Sequence, residues 1–265
     1  MTSIHKNKSM NHSSEELDDM TLDPPGRIAV IGGGPLGVEA ALYGRFLGYE
    51  VQLFEKGEIG QSLLATQDQP LPMMPDRCLS PLAVAALKAQ DGGLIFPGDP
   101  TYPITVRQWI NGGLSRLTST DLLRSQVFTG CKVVRIDLAP EVQDDAQPTE
   151  SETDADDDFY VDGEVPPDYR LTMQDESGIR AVDFEAVILA IGPGSTDSGS
   201  DDSISGYEEL VGGPYLSRPY LFRIGQKIEG NDEARLHRGL REIVSIYANL
   251  GGRSTLDLYR PIRSE

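Results

Sequence analysis

Three glycines near the start of the chain have the spacing that a diphosphate group requires of a polypeptide backbone. Gly32, Gly34 and Gly37 follow the pattern G-x-G-x-x-G directly after the apolar run 28–31. In such a turn the first glycine permits a tight bend, the second lets the backbone approach the phosphates, and the third lets the following helix pack on the strand. The spacing therefore predicts a nucleotide-binding turn, with a simple glycine loop as the alternative.

An acidic residue completes this unit. Glu55 lies 23 residues after Gly32, at the end of a second predicted strand over 50–54. A carboxylate in this place can accept the hydroxyl protons of an adenosine ribose, whereas it repels a 2′-phosphate. The sequence therefore predicts a dinucleotide without a ribose phosphate, and NADP is disfavoured at this site.

The residues around the glycines predict the elements that must hold them. The run 28–31 is fully apolar and rich in β-branched residues, which is typical of a strand buried on both faces of a parallel sheet. A helical pattern follows over 36–47 and ends at Gly48, a residue type that commonly stops helices. Strand, turn, helix and second strand together form a predicted βαβ unit.

With Ala41 four residues after Gly37 and Gly48 seven further on, this unit resembles the FAD-binding segment of the two-dinucleotide-binding-domain flavoproteins. That group includes the flavin-containing monooxygenases and the pyridine nucleotide-disulfide oxidoreductases. The resemblance implies an α/β Rossmann-like FAD/NAD(P)-binding fold with a central parallel sheet, helices on both faces and a small antiparallel β addition. It implies FAD as the cofactor and leaves NAD(P)H open as a transient electron donor.

The same resemblance assigns cofactor contacts along the chain. They comprise the glycine turn and helix start, the ribose acid with the loop after it, an adenine-facing residue of a middle strand, and the ends of two later strands: Gly32, Gly33, Gly34, Pro35, Leu36, Gly37, Glu55, Lys56, Gln61, Val133, Gly192, Gly225 and Gln226. Two positions depart from the family pattern, since Ile191 replaces a usual threonine and Gln226 a usual acid. The second glycine-rich turn, which binds NADPH in the family, has no counterpart in the sequence.

Further elements are predicted from periodicity and from capping residues. Ser80 caps a short helix over 81–88, and Trp109 is expected in the core of a helix over 105–117 that breaks at Gly112-Gly113. The remaining predicted strands and the final helix are 126–137, 169–175, 181–184, 186–191, 220–224 and 233–250.

The net charge of the chain disfavours two classes of partner. The chain has 23 basic and 42 acidic residues, a formal net charge of −19, which disfavours nucleic acid and anionic membranes.

We expect a disordered leader over 1–24 and a single domain over 25–265. Because no secretory or membrane-spanning segment is indicated, a cytoplasmic location is expected. From Glu141 to Asp168 there are twelve acids and no Lys or Arg, so the flexible excursion 139–168 is a candidate docking site for a basic protein.

No catalytic residue can be named from the sequence. Cys78 and Cys131 lie 53 residues apart, so a C-x-x-C dithiol is not supported, and the three histidines do not form a metal-binding set.

The sequence leaves three hypotheses for the function of the chain. The first is a FAD-dependent oxidoreductase of the monooxygenase or reductase type acting on a small molecule. The others are an NAD-binding dehydrogenase and a catalytically inactive nucleotide- or partner-binding protein.

Overall fold

The computed structural model describes residues 22, 24, 26–91, 103–140, 168–192, 210–211, 219–225 and 232–260. Its strands are β1 (Arg27–Ile31), β2 (Glu50–Phe54), β3 (Val127–Phe128), β4 (Lys132–Leu138), β5 (Tyr169–Asp175), β6 (Gly178–Phe184), β7 (Ala186–Leu189) and β8 (Leu221–Arg223). Its helices are α1 (Pro35–Leu47), α2 (Pro81–Asp91), α3 (Val106–Trp109), α4 (Ser115–Thr118) and α5 (Asp232–Leu250), with a 3₁₀ helix over Gln61–Thr66.

The larger of two sheets is parallel and has the strand order β3-β2-β1-β7-β8. The chain leaves β1 to form β2 on one side, whereas β7 pairs with β1 on the other. Strand order therefore reverses at β1, and in open α/β sheets ligands bind outside the carboxyl ends of the strands at such a point. The smaller sheet is antiparallel, with the order β4-β5-β6. The predicted Rossmann-like α/β fold class is confirmed.

Alternating side chains of the parallel strands divide the core into two layers. Ile28 and Val30 belong to the layer that contains the helices, whereas Ala29 and Ile31 belong to the layer that contains the smaller sheet. The helical residues 210–211 also pack in this second layer. Because both faces of β1 are covered, every position after Arg27 must be apolar, as the sequence pattern indicates.

Two predicted elements differ in the structure. The single strand expected over 126–137 is divided into β3 and β4, which lie in different sheets because Gly130 turns the chain between them at a φ of 63°. The helix expected to break at Gly112-Gly113 continues instead, since a π-helical turn over Ile110–Leu114 joins α3 to α4. A π turn accommodates an extra residue without ending a helix. Trp109 is buried, as predicted, and donates its indole N–H to the Cys78 carbonyl at 3.1 Å.

The folded chain begins earlier than the sequence predicts. Leu22, expected in the disordered leader 1–24, is 8% exposed and packs in the helical layer. Its N–H donates to the Leu250 carbonyl at 2.8 Å, and its carbonyl accepts from the Tyr49 hydroxyl at 2.9 Å. An apolar side chain against the end of α5 therefore adds this residue to the fold. The leader before Leu22 lies outside the described residues.

The two ends of the acidic excursion 139–168 meet in space. The Ala139 N–H donates to the Asp168 carbonyl at 2.6 Å and so extends the pairing between β4 and β5 by one step. Residues 141–167 lie outside the described part of the chain. The excursion therefore leaves and re-enters the smaller sheet at one point.

Helices α1 and α5 pack side by side and run in the same direction. Leu36 at the start of α1 lies against Gly239, whereas Gly44 near its end lies against Tyr247. A Cβ on Gly44 would overlap the Tyr247 hydroxyl, which donates to the Ala40 carbonyl at 2.9 Å. The amino ends of both helices therefore point toward the carboxyl edge of the parallel sheet.

The Tyr247 hydroxyl provides a test of this packing. We expect Tyr247→Phe to lower the free energy of unfolding by about 1 kcal/mol, the contribution of one buried hydrogen bond. The ring stays in place, because it stacks on Tyr43 with a centroid distance of 5.2 Å. Urea unfolding of the two proteins measures the difference, and equal stability would show that the hydrogen bond to Ala40 contributes nothing.

No helix among the described residues combines the length and the apolar character that crossing a membrane requires.

Cys78 and Cys131 are both buried, and they do not form a disulfide with each other. Burial raises the pKa of the Cys78 thiol to about 12, which keeps this side chain protonated and unreactive.

Candidate functional site

Gly32 and Gly37 of the glycine turn are required by the fold itself. Gly32 has a φ of 113°, and a Cβ on it would lie 2.5 Å from the Ala190 carbonyl oxygen. A Cβ on Gly37 would overlap the Gly32 carbonyl oxygen. The bend after β1 and the close approach of α1 therefore both depend on the missing side chains, as the spacing predicts.

Gly33 is enclosed by the loop that follows β2. A Cβ on Gly33 would lie 2.8 Å from side-chain atoms of Glu55 and Ile59. The Gly33 N–H donates to Glu55 Oε2 at 2.6 Å, and its carbonyl accepts from the Gly60 N–H at 2.9 Å. Both backbone groups of Gly33 thus have partners inside the protein, and the loop is fixed against the turn.

Gly34 differs from the other glycines of the turn because nothing in the described protein requires it. Its φ of −75° and ψ of 178° are extended values that any residue adopts, and a Cβ on it would meet no atom within 4 Å. Gly34 is the N-cap of α1, a position where Ser, Thr, Asn or Asp would satisfy free N–H groups. Open space therefore remains at the turn, beside a helix start without a side-chain cap.

The amino end of α1 has the electrostatic character that an anion needs. The N–H groups of the first helical turn have no partner within the helix, and the aligned peptide dipoles place partial positive charge there. Pro35 occupies the first helical position, Leu36 and Gly37 follow, and the first turn contains no acidic residue. With the space at Gly34, this geometry suits a phosphate or carboxylate group of a ligand.

Glu55 is held in one orientation beside the glycine turn. The residue is 8% exposed, and its carboxylate accepts two backbone N–H groups, that of Gly33 on Oε2 and that of Gly57 on Oε1 at 2.9 Å. Its own backbone is bonded on both sides, to the Phe128 carbonyl and to the Cys131 N–H, each at 2.9 Å. A carboxylate offers about four lone-pair directions. Two therefore remain for hydroxyl groups of a ligand.

The ends of β7 and β8 lie at the same edge of the sheet. Gly192 follows β7 with a φ of 69°, and a Cβ on it would meet no atom of the described residues within 4 Å. Gly225 follows β8 with a φ of 70°, and its missing side chain faces Leu36, whose Cδ1 would be 3.0 Å from a Cβ. The structure thus brings both glycines to the edge where the turn and Glu55 lie.

For four other residues that the sequence assigns to the cofactor site, the described side-chain contacts do not place the side chain at this edge of the sheet. Val133 is 6% exposed and its side chain packs in the second core layer, so the predicted adenine contact would have to come from its backbone, in a strand that pairs with β5. Lys56 is exposed, and the Gln61 side chain accepts from the nearby Glu58 N–H at 3.3 Å. Gln226 lies outside the described residues. The cofactor contacts assigned to these four residues stay predictions, as do those assigned to the other residues of the set.

Sequence reasoning missed a buried acid on α1. Glu39 is 1% exposed, and its carboxyl accepts from the Ser80 N–H at 2.9 Å and from the Ser80 hydroxyl at 2.7 Å. Burial raises the pKa of Glu39 to about 7, against the lowering effect of the Ser80 hydrogen bonds. Ser80 also caps α2, as predicted, because its hydroxyl accepts from the Ala83 N–H at 3.0 Å. The sequence contained one signal for this buried acid, which is that Glu39 lies on the inward face of a helix that is otherwise apolar there.

Sequence reasoning also missed Glu242. This residue of α5 accepts the Gly225 N–H on its Oε2 at 2.9 Å. No local pattern indicates the contact, because it joins a strand end to a position in the middle of the following helix.

No protein-family model and no curated protein sequence matches the chain. Among solved structures it is similar to the OTEMO complex with FAD and NADP, with 16% identity and a TM-score of 0.40 over 68% of this chain and 28% of that one. It is also similar to the bacillithiol disulfide reductases of Staphylococcus aureus and Bacillus cereus. These have 12% and 13% identity and TM-scores of 0.41 and 0.42, over 82% of this chain and 62% and 65% of theirs. The chain therefore spans less than two thirds of each protein, and these values are too low for their activities to be transferred.

Proposed function

We propose that this chain binds FAD at the carboxyl edge of its parallel sheet and functions as a FAD-dependent oxidoreductase of the monooxygenase or reductase type. The observation that carries the proposal is the space at Gly34. The fold needs glycine at 32, 33 and 37 for its own packing, whereas no atom of the described residues, chain neighbours aside, lies within 4 Å of a Cβ placed on Gly34, which leaves that space for a ligand. That group would lie on the free N–H groups of α1, where a diphosphate fits.

The residues around this space would each contact a different part of the dinucleotide. The backbone at Gly34 and Leu36 would hold the diphosphate, and the two remaining lone-pair directions of Glu55 would accept the ribose hydroxyls of the adenosine half. Because Gly33 and Gly57 already fix the Glu55 carboxylate, it would lose little freedom on binding. The cofactor, when bound, supplies the electron and hydride transfer. We name no residue of the chain as catalytic.

The visible absorption spectrum of the purified full-length chain, followed by titration with FAD and with NADH, tests this proposal. A flavin spectrum, or uptake of FAD in equimolar amount by a colourless protein, is the expected result. A colourless protein that binds NADH but not FAD would instead indicate the dehydrogenase hypothesis. A protein that binds neither would indicate a catalytically inactive partner-binding protein and would contradict the proposal.

Replacement of Glu55 tests the ribose contact. We expect Glu55→Gln to raise the dissociation constant for FAD about tenfold, because an amide offers one acceptor oxygen in place of two and removes one charged hydrogen bond. Calorimetric titration with FAD measures the change. The matched control is Glu58→Gln, which neutralises an exposed acid three residues further along the same loop. Equal FAD affinity in the two variants would exclude Glu55 from the binding site.

A further inference from the structure

The hydrogen bond between Gly225 and Glu242 joins the end of β8 to the middle of α5. The Gly225 N–H donates to Glu242 Oε2 at 2.9 Å in a half-buried setting. Gly225 has a φ of 70°, a left-handed conformation that only glycine adopts at little cost. The Glu242 carboxylate therefore holds the left-handed backbone turn at Gly225, just after β8.

This turn lies directly beside the start of α1. A Cβ on Gly225 would be 3.0 Å from Leu36 Cδ1, and Leu36 is the second residue of the helix that begins at the glycine turn. The side chain of Leu36 also packs against Gly239 of α5. The β8 end, the start of α1 and the middle of α5 thus form one packed unit, on the side of β1 opposite β2.

The strand order determines which half of a dinucleotide this unit would meet. Under the proposed function, the adenosine ribose lies at Glu55, at the end of β2, and the diphosphate lies over the end of β1. The second half of the molecule must then extend to the other side of β1, where β7 and β8 end. Gly225 is on that side.

We propose that Glu242 is a positioning residue for the half of the dinucleotide beyond the diphosphate. Glu242 acts through the Gly225 backbone, because accepting the Gly225 N–H holds the end of β8 against Leu36. The end of β8 and Leu36 together form the protein surface along which that half of the cofactor would lie. The inference rests on the proposed function, because it assumes that a dinucleotide binds at the glycine turn.

The test compares FAD with ADP, which contains only the adenosine and diphosphate part. For Glu242→Ala we expect about a tenfold weaker affinity for FAD, with the affinity for ADP changed less than about twofold. For Glu242→Gln, whose amide oxygen still accepts the Gly225 N–H, we expect FAD affinity within about threefold of the wild type. A general loss of structure would weaken both ligands together, so the difference between them reports the local role.

The matched control is Glu233→Ala, which removes the same charge from the same helix at a residue paired with Arg77 at 3.3 Å. Its affinities for FAD and ADP are expected to equal those of the wild type. Unchanged FAD affinity in Glu242→Ala, or a Gln variant as weak as the Ala variant, would overturn the positioning role. A wild-type chain that binds neither ADP nor FAD would instead overturn the proposed function, and this inference with it.

Discussion

Replacing Gly34 by Val is expected to weaken FAD binding by at least about 100-fold while leaving the fold intact. The extended backbone at Gly34 accepts a branched residue, and a Cβ placed there meets no atom of the described residues within 4 Å, its chain neighbours aside. A valine there would fill the volume assigned to the diphosphate and block the N–H groups of α1. A 100-fold loss corresponds to about 3 kcal/mol. The stability of the free protein should change by less than about 1 kcal/mol, since the N-cap has no side-chain hydrogen bond to lose.

Gly37→Ala serves as the control for this variant. Its added Cβ would overlap the Gly32 carbonyl oxygen, so the turn or the helix must move, and we expect a loss of about 3 kcal/mol or more in the free energy of unfolding. FAD titration and urea unfolding of both variants separate the two effects. A folded Gly34→Val protein with wild-type FAD affinity would place the nucleotide elsewhere.

The second large effect is expected from Glu39→Gln, as a change in how stability depends on pH. Burial raises the pKa of Glu39 from its usual value of 4.5 to about 7 in the folded protein. Folding then takes up a proton between these values, so the wild type loses stability as the pH rises through them, by about 3 kcal/mol from this group alone. Glutamine cannot ionise. The stability of the variant relative to the wild type should therefore rise by about 3 kcal/mol between about pH 5 and about pH 8.

The titratable groups of Cys78 and Tyr259 beside Glu39 do not contribute to this pH dependence of stability. Burial raises the pKa of Cys78 to about 12, and burial followed by the Glu39 charge raises that of Tyr259 well above its usual range, so both stay neutral in the window. The control is Glu176→Gln, which makes the same substitution in the exposed turn between β5 and β6 and leaves the Glu39 contacts in place. Urea unfolding at several pH values gives each difference. Parallel curves for Glu39→Gln and the wild type would mean that the carboxylate is ionised and satisfied in the fold.

The sequence predicts the part of the site that depends on local rules. The glycine spacing, the apolar run before it and Gly48 after the helix each act over a few residues, so α1 ends where predicted and β2 has the predicted bounds. Glu55 was predictable because the length of a βαβ unit fixes how far the second strand end lies from the first. Its double hydrogen bond to the backbone of Gly33 and Gly57 adds an orientation that spacing alone does not contain.

The sequence predicts less well where distant parts of the chain decide the structure. Strand formers stand on both sides of Gly130, and the turn at this glycine becomes a strand boundary because β3 pairs with β2 whereas β4 pairs with β5. Glu39 and Glu242 have the same limitation, because their partners Ser80 and Gly225 are 41 and 17 residues away. A buried acid such as Glu39 requires such a contact, and local patterns do not identify the partner.

Binding of FAD is tested most decisively by the native mass of the chain mixed with FAD, with acid release of any nucleotide that copurifies. We expect one FAD for each protein chain, strongly depleted when Gly34 is replaced by Val and retained when the exposed Glu58 is replaced by Gln. A chain that keeps the mass of the protein alone in the presence of FAD, with no nucleotide released by acid, would contradict this expectation.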